Sequence, residues 1–257
     1  MYDPLRVSAK IENPGHVLGW IKKVGKAILG DEILGRLDYY RFPQLAGSFG
    51  GPLNAQVKRE AIVLELLGTF PFDLVVETGT FRGDTSEFLA SHSNVPVLTV
   101  EYDARTYGYS RERLRRYPSV TTTKSDSRTF LLKLAEGGQL LARVPFFYLD
   151  AHWGCDLPLR EELEIIYSYC PKSIVVIDDF QVPDDPQYGY DDYGEGKALT
   201  LGYIAPVVAR FELAQFFPAS PAAEETGRRR GCIVLAKDLK MIERIEAMSC
   251  LRRADTL

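Results

Sequence analysis

The sequence of 257 residues contains only four cysteines and three histidines, and polar or charged residues interrupt every apolar run before it could cross a bilayer. The cysteines are not closely paired, which argues against a zinc cluster or a Cys-x-x-Cys redox site and is typical of free thiols in a reducing compartment. The N-terminus has no basic start followed by an apolar core, so we expect no signal peptide. The net charge of −4 gives no electrostatic basis for nucleic-acid binding. Together these absences predict a cytoplasmic protein that binds neither membranes nor nucleic acids.

The residues that are present predict an α/β protein. From residue 54 onward, short apolar runs alternate with amphipathic segments, which is the pattern of a mostly parallel sheet covered by helices. Strands are expected at residues 74–76, 96–100, 119–123, 144–149 and 173–177, and near 211–217 and 231–236. Helices are expected at residues 84–90, 110–116, 127–134 and 159–169. A further helix, capped by Asn54, should run to about residue 68.

Residues 1–53 are predicted to form an N-terminal helical extension, and residues 54–257 to form the main domain. Within the extension, residues 16–29 carry apolar side chains at helical spacing opposite three lysines, which predicts an amphipathic helix packed against the domain. The extension is also the candidate for subunit contacts in a homo-oligomer. Residues 39–53 are rich in glycine, proline and aromatic side chains, so we expect an ordered loop there.

The sequence is organised around a glycine turn between the first buried strand and its helix. The turn reads Glu77-Thr78-Gly79-Thr80-Phe-Arg-Gly83, and its glycines permit backbone angles and close approaches that a Cβ would prevent. A strand, a turn and a helix in this order place polar groups at the carboxyl end of a parallel sheet, where open α/β folds bind ligands. The turn is neither the Gly-x-Gly-x-x-Gly of dinucleotide enzymes nor a P-loop.

Four predicted strands end in a carboxylate, and a fifth is followed shortly by one. These acidic residues are Glu77, Glu101, Asp126, Asp150 and the pair Asp178-Asp179. In a doubly wound sheet all these strand ends lie along one edge. Glu101, at the end of the second strand, could accept hydrogen bonds from both hydroxyls of a ribose. Asp126 and Ser127 could meet an adenine ring from the side.

These motifs resemble the class I S-adenosylmethionine-dependent methyltransferases over roughly residues 54–237. In that family a Glu/Asp-x-Gly-x-x-x-Gly turn holds the methionine half of the cofactor. The resemblance implies a Rossmann-like, doubly wound, mostly parallel seven-stranded sheet with an antiparallel edge. It also implies cofactor contacts from all of these positions: Glu77, Thr78, Gly79, Thr80, Gly83, Glu101, Asp126, Ser127 and Asp150. Gln56 is a further candidate for the methionine end of the cofactor.

A second group of residues lies at the ends of the fourth and fifth strands. Asp150, Asp178 and Asp179 could share a hard divalent cation, with Mg²⁺ the most fitting, because unpaired carboxylates at such range repel one another. His152 lies two residues past Asp150 and has the ordinary pKa of a general base. The group resembles the metal-dependent macrocin O-methyltransferases, which modify sugars in natural products. That resemblance implies metal ligation by the three aspartates and catalytic roles for Asp150 and His152, although the family usually has aspartate as the base.

The sequence therefore predicts an S-adenosylmethionine-dependent, metal-assisted O-methyltransferase that acts on a hydroxyl of a sugar or glycosylated natural product. One alternative is a metal-independent methyltransferase whose aspartates orient the substrate through hydrogen bonds. Another is a binding module that keeps the cofactor pocket without methyl transfer. A nicotinamide oxidoreductase is disfavoured by the missing Gly-x-Gly-x-x-Gly pattern. The tyrosine-rich segment 188–194 is a candidate loop for closing over a substrate.

Overall fold

The computed structural model describes residues 30–151 and 156–254 and is built on one eight-stranded sheet. The strands are β1 (Leu74–Thr78), β2 (Val97–Glu101), β3 (Val120–Lys124), β4 (Pro145–Leu149), β5 (Ile174–Ile177), β6 (Ala214–Pro218), β7 (Ile233–Ala236) and β8 (Leu251–Arg253). The helices are α1 (30–41), α2 (Val57–Thr69), α3 (Asp84–Ser93), α4 (Ala104–Leu114), α5 (Ser127–Glu136), α6 (Leu159–Tyr169), α7 (Leu201–Phe211) and α8 (Leu239–Glu246). The predicted helix at 16–29 and the candidate base His152 lie outside the described residues.

The strand order is β3-β2-β1-β4-β5-β7-β6-β8, with β1 to β5 paired in parallel. Strand β7 runs antiparallel to both β5 and β6, and β8 runs antiparallel to β6. The expected doubly wound, mostly parallel sheet with an antiparallel edge is therefore confirmed. The sheet has eight strands rather than seven, because the short strand β8 adds to β6.

Helices cover both faces of the sheet, so the central strands are buried on each side. Alternate residues of the strands enter two separate cores, one with α5, α6 and α7 and the other with α2, α3 and α8. Strand β1 shows the pattern, since Val76 packs in the first core and Val75 in the second. This explains why the strands read as continuous β-branched and aromatic runs rather than as alternating ones.

Several local expectations are corrected by the structure. Helix α2 begins at Val57 with Gln56 in the cap position, not at Asn54, whose backbone has a φ of +61°. Helix α4 begins at Ala104, earlier than expected, because the Asp103 carboxylate accepts backbone N–H bonds in its first turn. Helices α7 and α8 were not expected.

Residues 43–55 form a series of short 3₁₀ turns, the covering segment, after α1 ends at residue 41. None of the helices in the described residues is long and apolar enough to span a membrane.

Candidate cofactor and acceptor site

The parallel pairing brings the predicted carboxylates to one edge of the sheet. Thr78 pairs with Val100 on one side and Leu149 on the other, and Leu149 pairs with Ile177, so β1, β2, β4 and β5 end at the same level. The order along the edge is Asp126, Glu101, Glu77 with the glycine turn, Asp150, and then Asp178 with Asp179. Four strand spacings of about 4.8 Å each give the edge a length of roughly 19 Å.

The glycine turn is held tightly against its neighbours. The N–H groups of Gly79 and Thr80 both donate to the Val100 carbonyl, at 3.1 and 3.0 Å, and Gly83 N–H donates to the Thr80 carbonyl. Gly79 has a φ of +87°, and a Cβ there would lie 2.3 Å from the Asp150 carbonyl oxygen. Glycine at position 79 is therefore required both by the backbone angle and by the close approach of β4.

Glu77 lies beneath the turn with 1% of its surface exposed. Its carboxylate accepts hydrogen bonds from the hydroxyls of Ser86, on α3, and Thr99, on β2. The Thr99 hydroxyl also lies 2.6 Å from that of Thr80. Burial raises the pKa of Glu77 to about 7, although the two hydroxyls act against this rise. The side chain thus joins three elements below the turn.

Thr78 is fully buried, and its hydroxyl makes no hydrogen bond among the residues that the structure describes.

Glu101 lies at the end of β2, where a ribose ligand was expected. One of its oxygens accepts the Phe81 N–H of the glycine turn at 2.8 Å, and the other accepts the Asp103 N–H at 2.8 Å. Burial raises the pKa of Glu101 to about 7, partly offset by these backbone donors. The Tyr102 N–H is a further backbone donor to this carboxylate, which has about four acceptor positions and so keeps some capacity for a ribose hydroxyl.

Asp126 and Ser127 lie next along the edge, at the start of α5. Asp126 caps this helix by accepting the Thr129 N–H at 3.1 Å, and that bond together with nearby Arg128 lowers its pKa despite some desolvation. Ser127 is buried in the first turn. The structure therefore gives Asp126 the role of a helix cap, and its place beside an adenine ring stays a prediction.

A small cavity separates the glycine turn from the covering segment. It has a volume of about 60 Å³ and is lined by Ser48, Phe49, Gly51 and Asn54 of the covering segment, by Gly79, Thr80 and Phe81 of the turn, and by Asp84, Thr85, Asp150 and Asp178. Drug-sized ligands occupy pockets of about 300–1,000 Å³. This cavity alone is therefore too small to enclose a whole cofactor.

Two hydrogen bonds hold the covering segment against α3. The Gly47 N–H donates to the Asp84 carboxylate, and the Leu53 N–H donates to the Thr85 hydroxyl.

A larger cavity of about 400 Å³ lies between Arg36, Glu112 and Val120, and none of the predicted site residues lines it.

Asp178 and Asp179 are contacted by two arginines that the sequence did not single out. Arg59, on α2, forms an ion pair with Asp178, and both side chains are buried, at 1% and 2% exposure. Arg230 forms an ion pair with Asp179, with its Nε 3.1 Å from the carboxylate. Tyr148 O–H donates to Asp178 at 2.6 Å. Asp178 and Asp179 thus lie in a network of charge pairs, whereas metal ligation by the predicted trio stays a prediction.

These contacts do not fit a divalent cation on the aspartate pair. Among the described residues, no group of three or more histidine, cysteine, aspartate or glutamate side chains could hold a metal ion. Mg²⁺ requires oxygen ligands at 2.0–2.1 Å in nearly octahedral geometry. The Asp178 oxygens instead accept hydrogen bonds from the Tyr148 hydroxyl and the Asp179 N–H.

Arg230 also fastens the 181–199 loop to the site. It forms an ion pair with Asp191, and the Asp191 N–H donates to the Asp179 carbonyl at 2.9 Å. Gly189 exchanges backbone hydrogen bonds with the chain at 229 and 231. Hydrogen bonds and an ion pair therefore hold the tyrosine-rich segment, which was expected to close over a substrate, against the sheet edge.

The Gln56 side chain forms hydrogen bonds with the backbone of Arg230 instead of reaching the glycine turn.

Two of the newly found residues had a signal in the sequence. Arg59 lies three residues before Ile62 and four residues before Val63. All three side chains are buried on one face of α2. That spacing places a charged side chain on a core-facing stripe, where it needs a partner. Asn54 was singled out as a helix cap, but its amide donates to Asp179 at 3.1 Å.

Comparisons with known proteins identify the fold. No protein-family model matches the sequence, and no curated protein matches it. The O-methyltransferase TomG from Streptomyces achromogenes, involved in tomaymycin synthesis and solved with S-adenosylmethionine, is 16% identical with a TM-score of 0.50. That match covers 85% of this chain and 96% of TomG.

Two further structures are similar. An O-methyltransferase from Bacillus cereus, solved with S-adenosylhomocysteine, is 14% identical with a TM-score of 0.53 and coverages of 85% of this chain and 97% of that one. The methyltransferase domain of bacterial CtHen1-C is 14% identical with a TM-score of 0.51, and the match covers 72% and 98% of the two chains. The chain therefore has the fold of the class I S-adenosylmethionine-dependent methyltransferases.

Proposed function

We propose that this protein is an S-adenosylmethionine-dependent methyltransferase that methylates a hydroxyl group of a small molecule. The observation that carries the proposal is the order of groups along one sheet edge of this fold. The glycine turn at Gly79 comes first, Glu101 ends the adjacent strand β2, and Asp126 follows the end of β3, the next strand along the edge. This order matches the methionine, ribose and adenine parts of the cofactor, and the edge is long enough for all three.

Each part of the cofactor has a candidate partner among these residues. Glu101 would accept a ribose hydroxyl through the acceptor capacity that its backbone bonds leave. The close packing of Gly79 against β4 leaves no side chain between the turn and Asp150. The Thr78 hydroxyl, buried and without a partner among the described residues, is a further candidate donor at the end of β1.

The acceptor would lie beyond Asp150, next to the aspartate pair. A bound S-adenosylmethionine would supply an electrophilic methyl group there. The chain would hold the acceptor oxygen in line with it and exclude water, and positioning of this kind supplies much of the acceleration in such reactions. His152, two residues past Asp150, stays the proposed base that takes the hydroxyl proton. A sugar or glycosylated natural product stays the proposed acceptor class, on the sequence resemblance alone.

Metal assistance, which the sequence resemblance implied, is not supported by the described side chains. The ion pairs of Asp178 with Arg59 and of Asp179 with Arg230 favour the metal-independent alternative. In that alternative the aspartates orient neighbouring groups through hydrogen bonds, as Asp178 does with Tyr148.

Calorimetric titration with S-adenosylhomocysteine tests the cofactor half. At pH 8, above the raised pKa of Glu101, we expect saturable binding to the wild type and binding weaker by about tenfold or more in Glu101→Gln, because a charge-assisted hydrogen bond contributes about 1.5–3 kcal/mol. Glu136→Gln, which alters an exposed carboxylate at the end of α5, serves as the matched control. Absence of binding to the wild type would overturn the proposal. Binding without turnover on a wide panel of hydroxylated acceptors would favour the cofactor-binding module instead.

A further inference from the structure

We propose that Arg59 and Arg230 take the place of a divalent cation beside Asp178 and Asp179, so that the acceptor site works without a metal. The inference rests on the proposed function, because it concerns the part of the site where the acceptor would lie. It assigns positioning roles to two arginines on separate elements, one on α2 and one just before β7.

The bonding of Asp178 leaves no room for a cation. Its Oδ1 contacts the Arg59 guanidinium and accepts the Asp179 N–H at 2.7 Å. Its Oδ2 accepts the Tyr148 hydroxyl at 2.6 Å and lies 3.5 Å from the Asn54 amide nitrogen. A metal could reach either oxygen only by displacing one of these donors.

Both terminal nitrogens of the Arg59 guanidinium have partners. While Nη1 contacts Asp178, Nη2 donates to the carbonyl oxygens of Arg230 and Gly231, the latter at 2.7 Å. The side chain is 1% exposed. If a metal took Asp178, the guanidinium would stay buried without its counter-charge, which is strongly destabilising. The ion pair therefore excludes the metal rather than coexisting with it.

Asp179 is held in the same way at the edge of the site. Its Oδ1 receives the Arg230 Nε and the Asn54 amide, each at 3.1 Å. The other end of the Arg230 guanidinium reaches Asp191 in the 181–199 loop. Arg230 thus bridges two carboxylates with a single guanidinium.

The inference makes a specific prediction about Mn²⁺, a spin-active substitute for Mg²⁺. The full chain is freed of metal with a chelator, and the loss of the free Mn²⁺ signal in electron paramagnetic resonance reports binding. We expect neither the wild type nor Arg229→Gln to bind Mn²⁺ at this site. Arg230→Gln should bind one Mn²⁺ per chain at Asp179, at least about tenfold more tightly than any residual binding to the wild type, because the substitution removes the unit positive charge beside that carboxylate.

Arg230 is the better position for the test because its side chain is 22% exposed, whereas removing the buried Arg59 could prevent folding. Arg229 is the matched control because it is the adjacent exposed arginine and its Nε bonds only the Glu225 carbonyl. Adding Asp179→Asn to Arg230→Gln should abolish the gain. One Mn²⁺ bound to the wild type and lost in Asp179→Asn would overturn the inference, and so would an Arg230→Gln variant that gains no affinity.

The failure of this inference can be told apart from failure of the proposed function. The same wild-type sample is titrated with S-adenosylhomocysteine. If the wild type binds both the cofactor and Mn²⁺, only the proposal that the two arginines take the place of a metal is overturned. Lack of cofactor binding overturns the proposed function, while the Mn²⁺ titration of the arginine variants still reports what occupies the aspartate pair.

Discussion

The substitution Glu77→Gln should change how the stability of this protein depends on pH. Glu77 is buried beneath the glycine turn and accepts hydrogen bonds from the hydroxyls of Ser86 and Thr99. Burial raises its pKa from 4.5 to about 7. Glutamine has the same shape and is neutral, and the two hydroxyls can rotate to suit its amide. The variant therefore resembles the protonated wild type at every pH.

The size and sign of the effect follow from the pKa shift. Because the folded state keeps its proton at a pH where the unfolded chain has released it, the contribution of Glu77 is fully present below pH 4.5 and is lost as the pH rises to about 7. A shift of roughly 2.5 units at 1.36 kcal/mol per unit corresponds to about 3 kcal/mol. Between pH 5 and pH 8 the variant should gain about 2–3 kcal/mol relative to the wild type.

Urea unfolding at several pH values between 5 and 8 measures this difference. At each pH the free energy of unfolding of the wild type is subtracted from that of the variant, and the change of this difference between pH 5 and pH 8 is compared. An effect of the amide on packing that does not depend on pH cancels. Glu136→Gln, an exposed carboxylate, should show no such change. Two parallel stability curves for Glu77→Gln and the wild type would refute the reasoning, because they would mean that Glu77 is ionised in the folded state at pH 5.

Three further substitutions test other parts of the site. Gly79→Ala should abolish S-adenosylhomocysteine binding in a calorimetric titration and lower the melting temperature, because the added Cβ would lie 2.3 Å from the Asp150 carbonyl. Asp126→Ala should lower the free energy of unfolding in urea by about 1 kcal/mol, the usual contribution of a helix cap. Tyr148→Phe should lower it by about 1–3 kcal/mol, because the buried Asp178 loses a hydrogen-bond donor.

The strand ends and the glycine turn could be predicted from the sequence because their signals are local. Buried parallel strands are short apolar runs, and the residue that follows each run marks the carboxyl edge. Helix α6 begins and ends where its apolar periodicity predicts, at Leu159–Tyr169. The carboxylates at Glu101 and Asp150 therefore lie where the sequence indicated.

Helix α7 was missed because its sequence contains residues that usually interrupt helices. Gly202 and Pro206 both lie inside Leu201–Phe211. Proline removes a backbone donor and glycine adds flexibility, so local propensity argues against a helix there. Burial of Ile204 and Val207 against the sheet outweighs that preference. This contribution comes from the tertiary structure and cannot be judged within one short window of sequence.

The pairing of the arginines with the aspartates could not be predicted, because each pair joins elements that are distant in the chain. The periodicity of α2 places Arg59 on a buried face, but it does not say which carboxylate it will meet. Asp178 becomes its partner only because α2 packs against the sheet beside β5 and β7. Arg230 in turn reaches Asp179 because β7 inserts antiparallel between β5 and β6.

The clustered strand-end carboxylates require neutralisation, which they obtain in two different ways. Guanidinium groups neutralise Asp178 and Asp179. Glu77 is neutralised by a bound proton below about pH 7, since its pKa is raised to that value. The pKa of Glu101 is raised to the same value, so it too holds a proton below about pH 7, and its oxygens accept the N–H groups of Phe81 and Asp103. Mutual repulsion of carboxylates is therefore a sound reason to expect positive charge or protons at this edge, but it does not by itself identify a metal ion as their source.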